Sequence, residues 1–220
     1  VSTFFVGFLI IITTKFHGKF TLDSHLGVQK IHSKPTLRVG GIAILISIFI
    51  ACSVIDLEYM FVFLVILLGS ISVFSIGLLE GITKQISIKI RFLAAMVSGI
   101  IFIYISGYSI TDVDINFTNL ALTIPVISII FILFCISGSI SFFNLIGGFN
   151  GFTTGTAIIL LITFTHISSQ LGNNLLSNIA ILITILIFGF FVLNFPFGKL
   201  FLGDGSAYVL AYIIVALVIL

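Results

Sequence analysis

The sequence predicts an all-α, polytopic integral membrane protein with about eight transmembrane helices. Three observations lead to this prediction. Of the 220 residues, 60% are hydrophobic and only 7% are charged, whereas about a quarter of the residues in a soluble domain are charged. The apolar residues form long runs, and about 20 of them are needed to cross the hydrocarbon core of a bilayer. All nine Lys and Arg residues fall in alternate breaks between these runs, as the positive-inside rule requires.

The apolar runs give the order of the predicted spans. The mean hydropathy of the chain is +1.39, and the chain begins and ends inside an apolar run. We therefore expect residues 1–220 to form a single transmembrane domain that is truncated at both ends. Cys52 and Cys135 lie inside apolar runs, so the sequence predicts neither a disulfide framework nor a CxxC metal site. The predicted spans are residues 1–14, 39–55, 59–79, 92–110, 121–143, 152–167, 175–195 and 206–220.

The charged residues predict how these spans are oriented. The breaks after the first, third and seventh spans hold all nine Lys and Arg. The breaks on the opposite side hold Asp56, Glu58, Asp112 and Asp114 and no basic residue. We therefore expect the odd-numbered breaks to face the cytoplasm. Charged residues fall only in breaks or at span ends, which argues against a transporter, because a transporter needs ionisable groups at mid-membrane depth.

The first cytoplasmic loop contains the stretch "QKIHSKPTLRVGG". His32, Lys34 and Arg38 alternate there with small or apolar residues, and Gly40 and Gly41 permit close approach of another backbone. A cluster of this kind can bind phosphate groups. The alternative is a basic patch beside the membrane that only fixes topology or attracts anionic lipid.

The second cytoplasmic loop begins at "LLEGITKQISIKIR", where Glu80 stands at the junction with the third span. A carboxylate at the membrane edge could hold Mg²⁺, which prefers one or two carboxylates together with substrate phosphates. The alternative is an interfacial charge that pairs with Lys84 at the i+4 helical spacing.

The third cytoplasmic loop, "NLIGGFNGFTTG", combines Asn144 and Asn150 with four glycines. Amide side chains in a glycine-rich turn suit hydrogen bonding to a base, a sugar or a phosphate. The alternative is a helix break whose small residues allow close packing.

The fourth cytoplasmic loop, "FPFGKLFLGDGSAY", contains Lys199 and places Asp204 between two glycines, directly before the last span. The glycines remove bulk from around the carboxylate, as a site for a metal and phosphates requires. We expect Ser206 to cap the helix that follows. The alternative is that Asp204 only complements the helix dipole.

Taken together and in order, these four loops resemble the polyprenyl-phosphate N-acetylhexosamine-1-phosphate transferases, the family of the MraY-, WecA- and TagO-like enzymes, with a closer likeness to the WecA-like branch. The resemblance implies a fold of ten or eleven helices in the inner membrane of a bacterium. It implies transfer of a sugar-1-phosphate from a UDP-sugar to undecaprenyl phosphate, with Mg²⁺ as cofactor and UMP released. Such transfer serves the synthesis of cell wall, lipopolysaccharide or another surface polysaccharide.

The resemblance also implies roles for individual residues. Glu80 and Asp204 become catalytic residues that share the Mg²⁺ ion. Residues of the other loops become substrate-binding residues: His32, Lys34, Arg38, Asn144, Asn150 and Lys199. The implied partners are the UDP-sugar, undecaprenyl phosphate and membrane lipid; a homodimer is left open, and nucleic acid is not expected.

Two glycines depart from the family pattern. Gly81 stands where the family has the second Asp of an Asp-Asp pair, and Gly147 stands where it has the Asp of an Asp-Gly element. Glycine offers no ligand to a metal, so these replacements should weaken cation binding. The alternative hypothesis is therefore an inactive relative of the family that binds lipid phosphate or a partner membrane protein.

Overall fold

The described part of the chain is almost entirely helical. The computed structural model describes residues 2–15, 18, 22–23, 36–37, 39–83, 85–114, 121–147, 150–196 and 198–220. Within these residues there are eight helices and two short strands: α1 Ser2–Ile12, β1 Leu22–Asp23, β2 Thr36–Leu37, α2 Gly40–Val54, α3 Leu57–Thr83, α4 Ile88–Ser106, α5 Pro125–Ile146, α6 Phe152–Gln170, α7 Asn174–Asn194 and α8 Asp204–Ile219. The strands pair antiparallel, with Leu22 opposite Leu37.

The helices confirm the predicted all-α polytopic fold. Five of the described helices, α3 to α7, are long and apolar enough to cross a membrane, and α1, α2 and α8 are shorter apolar helices. Each predicted span corresponds to one helix. Local signals explain several of the boundaries: Asn173 accepts a hydrogen bond from the Leu176 N–H at the start of α7, and Pro125 occupies the first turn of α5.

The boundary between α3 and α4 differs from the prediction in a way that affects the site. Helix α3 continues to Thr83, so Glu80 lies within its last turn. Helix α4 starts at Ile88 after Ser87, whose side chain accepts a hydrogen bond from the Ile90 N–H. Arg91, predicted to lie in the loop, is therefore a residue of α4. A hydropathy pattern stops at a charged residue, whereas a helix continues through it when the long side chain reaches a polar region.

Helix α8 lies at the centre of the fold. It packs against α3 and α5 and also contacts α2 and α6. Most of its residues are buried on every face, from Gly205 to Leu217. A helix that is apolar on all sides is expected to be surrounded by other helices. Asp204, its first residue, is thus placed where several helices end.

The first and last of the four loops predicted to be cytoplasmic meet at the end of this bundle. Leu37 forms a parallel bridge with Leu200, and its carbonyl accepts a hydrogen bond from the Phe201 N–H at 2.7 Å. The Gly40 N–H in turn donates to the Phe201 carbonyl at 3.1 Å. A Cβ atom at Gly40 would lie 2.8 Å from that carbonyl oxygen, so the predicted close approach at this glycine is to the backbone of the last loop.

Candidate functional site

The candidate site forms where the end of α3, the start of α4 and the start of α8 meet. Glu80 of α3 lies at its centre. Its Oε1 atom is 2.9 Å from Nη1 of Arg91, and its Oε2 atom accepts a hydrogen bond from the Tyr208 hydroxyl at 2.8 Å. The side chains of Arg91 and Glu80 are 25% and 16% exposed, so both charges are largely removed from water and each depends on the other.

Two glycines allow α3 and α8 to approach closely enough for these contacts. A Cβ atom on Gly77 would lie 2.5 Å from the backbone nitrogen of Gly205 and 2.9 Å from a ring carbon of Tyr208. A Cβ atom on Gly205 would in turn lie 3.1 Å from the backbone nitrogen of Leu78. The two helices thus contact each other through backbone atoms, one turn before Glu80 on α3.

Asp204 is the first residue of α8 and stands one helical turn before Tyr208. It is half-buried and close enough to act electrostatically on Arg91. The prediction that Ser206 caps this helix is wrong. The N-cap residue is Gly203, which has no side chain to accept a capping hydrogen bond, and the Ser206 hydroxyl donates back to the Leu202 carbonyl. The helix starts earlier than predicted because a flexible glycine at φ +74° takes the cap position.

Asn144 joins the same region from α5. It lines a cavity of about 210 Å³ together with Arg91 and Tyr208. Most of the remaining lining is apolar and comes from α4 and α5: Ile88, Phe92, Ala95, Ile140, Ser141 and Leu145. The cavity therefore combines a cation, an amide and a phenol with an apolar wall at the edge of a helical membrane bundle.

Asn150 lies in a different place from Asn144. Its amide nitrogen packs against the last loop, where a Cβ atom on Gly198 would come within 2.8 Å of it. Its carbonyl oxygen is buried and has no hydrogen-bond partner among the described residues. Gly198 has φ +56°, so both its conformation and this contact favour glycine. The structure thus places Asn150 at the junction of the third and fourth of these loops.

Asn194 holds these two loops together. Its side chain is 3% exposed. Its Oδ1 atom accepts a hydrogen bond from the Gly151 N–H at 2.7 Å, and its Nδ2 group donates to the Leu200 carbonyl at 2.9 Å. One buried amide therefore satisfies backbone groups on both loops and fixes their separation.

The other predicted substrate-binding residues are basic or aromatic groups of the first and last loops. Lys199 is exposed in the last loop, one residue before the bridge to Leu37. His32, Lys34 and Arg38 lie outside the described residues, as does Lys84, the alternative partner for Glu80. In the described part of the chain, Glu80 pairs with Arg91.

The donor chemistry of the site agrees with a hard cation. Glu80 and Asp204 supply carboxylate oxygens, the ligand type that Mg²⁺ prefers. Among the described residues, a Cβ atom on Gly81 would meet no atom within 4 Å, so there is open space at the residue that follows Glu80. Among the described residues no group of three or more His, Cys, Asp or Glu side chains is close enough to hold a metal ion. A metal here would therefore depend on two carboxylates and on oxygen atoms from substrate or water.

Sequence reasoning missed three residues of this region: Arg91, Tyr208 and Asn194. In the sequence, Arg91 indicates only the orientation of the spans, and Asn194 lies at the end of an apolar run with no motif around it. Tyr208 carried one usable signal, because it follows Asp204 by four residues and must share its helix face. Their partners lie far away in the sequence, and no local pattern identifies them.

Comparisons with known proteins identify the family of the chain. The model of the family described as glycosyl transferase family 4 matches residues 63–220, which include Glu80, Asn144 and Asp204. A phospho-N-acetylmuramoyl-pentapeptide-transferase of Staphylococcus carnosus is 28% identical over 193 residues, covering 81% of this chain and 60% of the relative. Proteins of the same name from Staphylococcus aureus and Staphylococcus epidermidis are 29% and 27% identical, each over 77% of this chain and 57% of the relative.

The chain thus spans about 60% of the length of these relatives. All three relatives carry the pentapeptide-transferase name. The closer likeness to the WecA-like branch therefore stays a prediction, as does the description of residues 1–220 as one truncated domain.

Proposed function

The chain belongs to glycosyl transferase family 4, and on this basis we propose that it transfers a sugar-1-phosphate from a UDP-sugar to undecaprenyl phosphate. The sugar is an N-acetylhexosamine, and the reaction takes place at the cytoplasmic face of a bacterial membrane, where it serves the synthesis of cell wall or another surface polysaccharide. UMP leaves as the second product.

One observation supports this proposal above the others: polar residues from four different helices meet at one end of the bundle. Glu80 contacts Arg91 and Tyr208, Asp204 lies one turn before Tyr208, and Asn144 shares a cavity with Arg91 and Tyr208. A surface patch that only set topology would need no such convergence. A site that handles crowded phosphate charge does need it.

Each group of residues suits a different part of the two substrates. The apolar wall of the cavity suits the chain of a membrane lipid, while Arg91 at its edge can neutralise a phosphate oxygen. Asn144 and Asn150 supply amide groups that orient the nucleotide sugar, and Lys199 with His32, Lys34 and Arg38 neutralises phosphates on the solvent side. Holding a lipid phosphate and a diphosphate in line is the main contribution of the protein to such a transfer.

We propose Mg²⁺ as the cofactor, with Asp204 and Glu80 as its protein ligands. When bound, the ion would offset the charge of the diphosphate and stabilise the departing UMP. Asp204 supplies its carboxylate from the first turn of α8, and Glu80 is kept in place by Tyr208.

A second candidate function is favoured by the two glycines. Gly81 and Gly147 stand at positions where the resembled family has carboxylates, and the described site retains only Glu80 and Asp204 as acids. The chain would then be an inactive relative that binds lipid phosphate or a partner membrane protein.

A transfer assay distinguishes the two. Membranes containing the protein are incubated with radiolabelled UDP-N-acetylglucosamine, undecaprenyl phosphate and Mg²⁺, and labelled lipid is extracted. The proposal predicts Mg²⁺-dependent product that is lost in Asp204→Ala. The control Asp114→Ala, in a loop predicted to lie on the other side of the membrane, should leave the amount of product unchanged. Labelled lipid no higher than in membranes without the protein would reject the enzymatic function and favour the inactive relative.

A further inference from the structure

The Glu80 carboxylate already has a cation beside it. Arg91 lies 2.9 Å from Oε1, and the Tyr208 hydroxyl occupies Oε2 at 2.8 Å. Both carboxylate oxygens are therefore engaged by protein groups. Each carboxylate oxygen has a further lone pair, but a metal ion bound at Oε1 would lie beside the Arg91 guanidinium, and the two positive charges repel each other.

We propose that Arg91 competes with the divalent cation for Glu80. In this arrangement the guanidinium and the metal are alternative counterions for one carboxylate. Binding of the metal displaces Arg91 from Oε1, while Tyr208 keeps its hydrogen bond to Oε2 and preserves the orientation of the carboxylate. The inference rests on the proposed function only for the presence of a divalent cation.

The surroundings of Arg91 support this exchange. Its Nε atom is buried and has no hydrogen-bond partner among the described residues, whereas a side-on pair with both carboxylate oxygens would satisfy Nε as well. Tyr208 holds the second oxygen, so the Arg91–Glu80 pair has one bond where a side-on pair has two, and the other side-chain partner of Arg91 is the Tyr208 hydroxyl. Arg91 also borders the cavity of about 210 Å³ that Asn144 lines, so a released guanidinium has adjacent space and can meet a phosphate oxygen there.

The competition can be measured without substrate. Mn²⁺ is the probe, because it prefers the same oxygen ligands as Mg²⁺ and the free ion gives an electron paramagnetic resonance signal. Purified protein in detergent is titrated with Mn²⁺, and the dissociation constant is obtained for the wild type and for Arg91→Gln. We expect Arg91→Gln to tighten Mn²⁺ binding by about tenfold, the effect of removing one partly buried ion pair.

A matched control separates competition from general charge. Lys89→Gln removes the same charge from an exposed position two residues earlier on α4 and should change the dissociation constant by less than about twofold. The decisive comparison adds Glu80→Gln. In that background Arg91→Gln should have no larger effect than Lys89→Gln, because the carboxylate for which the two cations compete is gone. Arg91→Lys retains the charge and should stay within about threefold of the wild type.

Each outcome decides the matter. The inference would be overturned if Arg91→Gln and Lys89→Gln changed the Mn²⁺ dissociation constant equally, or if Arg91→Gln weakened Mn²⁺ binding. It would also be overturned if Arg91→Gln still tightened Mn²⁺ binding fully in the Glu80→Gln background, or if no variant bound Mn²⁺. Tight Mn²⁺ binding in Arg91→Gln without any sugar transfer would leave the inference standing and reject the proposed function. Sugar transfer together with equal effects of Arg91→Gln and Lys89→Gln on Mn²⁺ binding would reject the inference and support the proposed function.

Discussion

Replacing Gly77 with alanine should separate α3 from α8 and break the contact between Glu80 and Tyr208. An added Cβ atom would lie 2.5 Å from the Gly205 backbone nitrogen, whereas non-bonded heavy atoms prefer about 3.5 Å. The atom in the way belongs to a helix backbone and cannot rotate aside as a side chain can. The two helices must therefore move apart by roughly 1 Å to accommodate a single methyl group.

This displacement is large compared with the tolerance of a hydrogen bond. The Tyr208–Glu80 bond, now 2.8 Å, would lengthen to roughly 3.8 Å, beyond hydrogen-bonding range. Overpacking costs about 1–3 kcal/mol, and losing a hydrogen bond to a charged group costs about 1.5–3 kcal/mol. A loss of about 3 kcal/mol should lower the thermal midpoint by roughly 6–12 °C in a chain of this size.

Gly81 provides the control on the same helix, one turn further on. A Cβ atom at Gly81 would meet nothing within 4 Å in the described part of the chain. Gly81→Ala should therefore leave the midpoint unchanged or raise it slightly, since alanine favours a helix by about 1 kcal/mol over glycine. Both variants are compared by thermal unfolding in detergent. Similar midpoints for Gly77→Ala and Gly81→Ala would show that the close helix contact does not hold the site together.

Other substitutions test the loops and the missing carboxylate. Asn194→Ala removes three buried hydrogen bonds, two to backbone groups and one from the Thr154 hydroxyl, and should cost about 2–4 kcal/mol in unfolding free energy. Asn173→Ala removes only a helix cap and should cost about 1 kcal/mol; equal losses would contradict the role of Asn194 between the loops. Gly81→Asp adds a carboxylate in open space beside Glu80, so it should tighten Mn²⁺ binding at least about tenfold and raise sugar transfer. An unchanged Mn²⁺ dissociation constant for Gly81→Asp would place this position outside the cation site.

The helices and their order could be predicted from the sequence because the signal is local. About 20 apolar residues are required wherever a chain crosses a bilayer, and each predicted span is found as a helix. The errors that affect the site are at charged ends, where Glu80 and Arg91 belong to helices although hydropathy places them at a boundary or in a loop. Helix ends are set by capping groups such as Ser87 and Gly203, whose effect is weaker than that of an apolar run.

The sequence by itself thus determined a polytopic helical bundle with its polar motifs in alternate loops, together with the family to which those motifs belong. Only the tertiary structure decided which groups meet. Tyr208 contacts Glu80 across 128 residues of chain, because Gly77 and Gly205 let two backbones touch. Hydropathy and spacing describe neighbours along a helix, whereas the partner of a carboxylate depends on distance in space, which is fixed only when the helices pack.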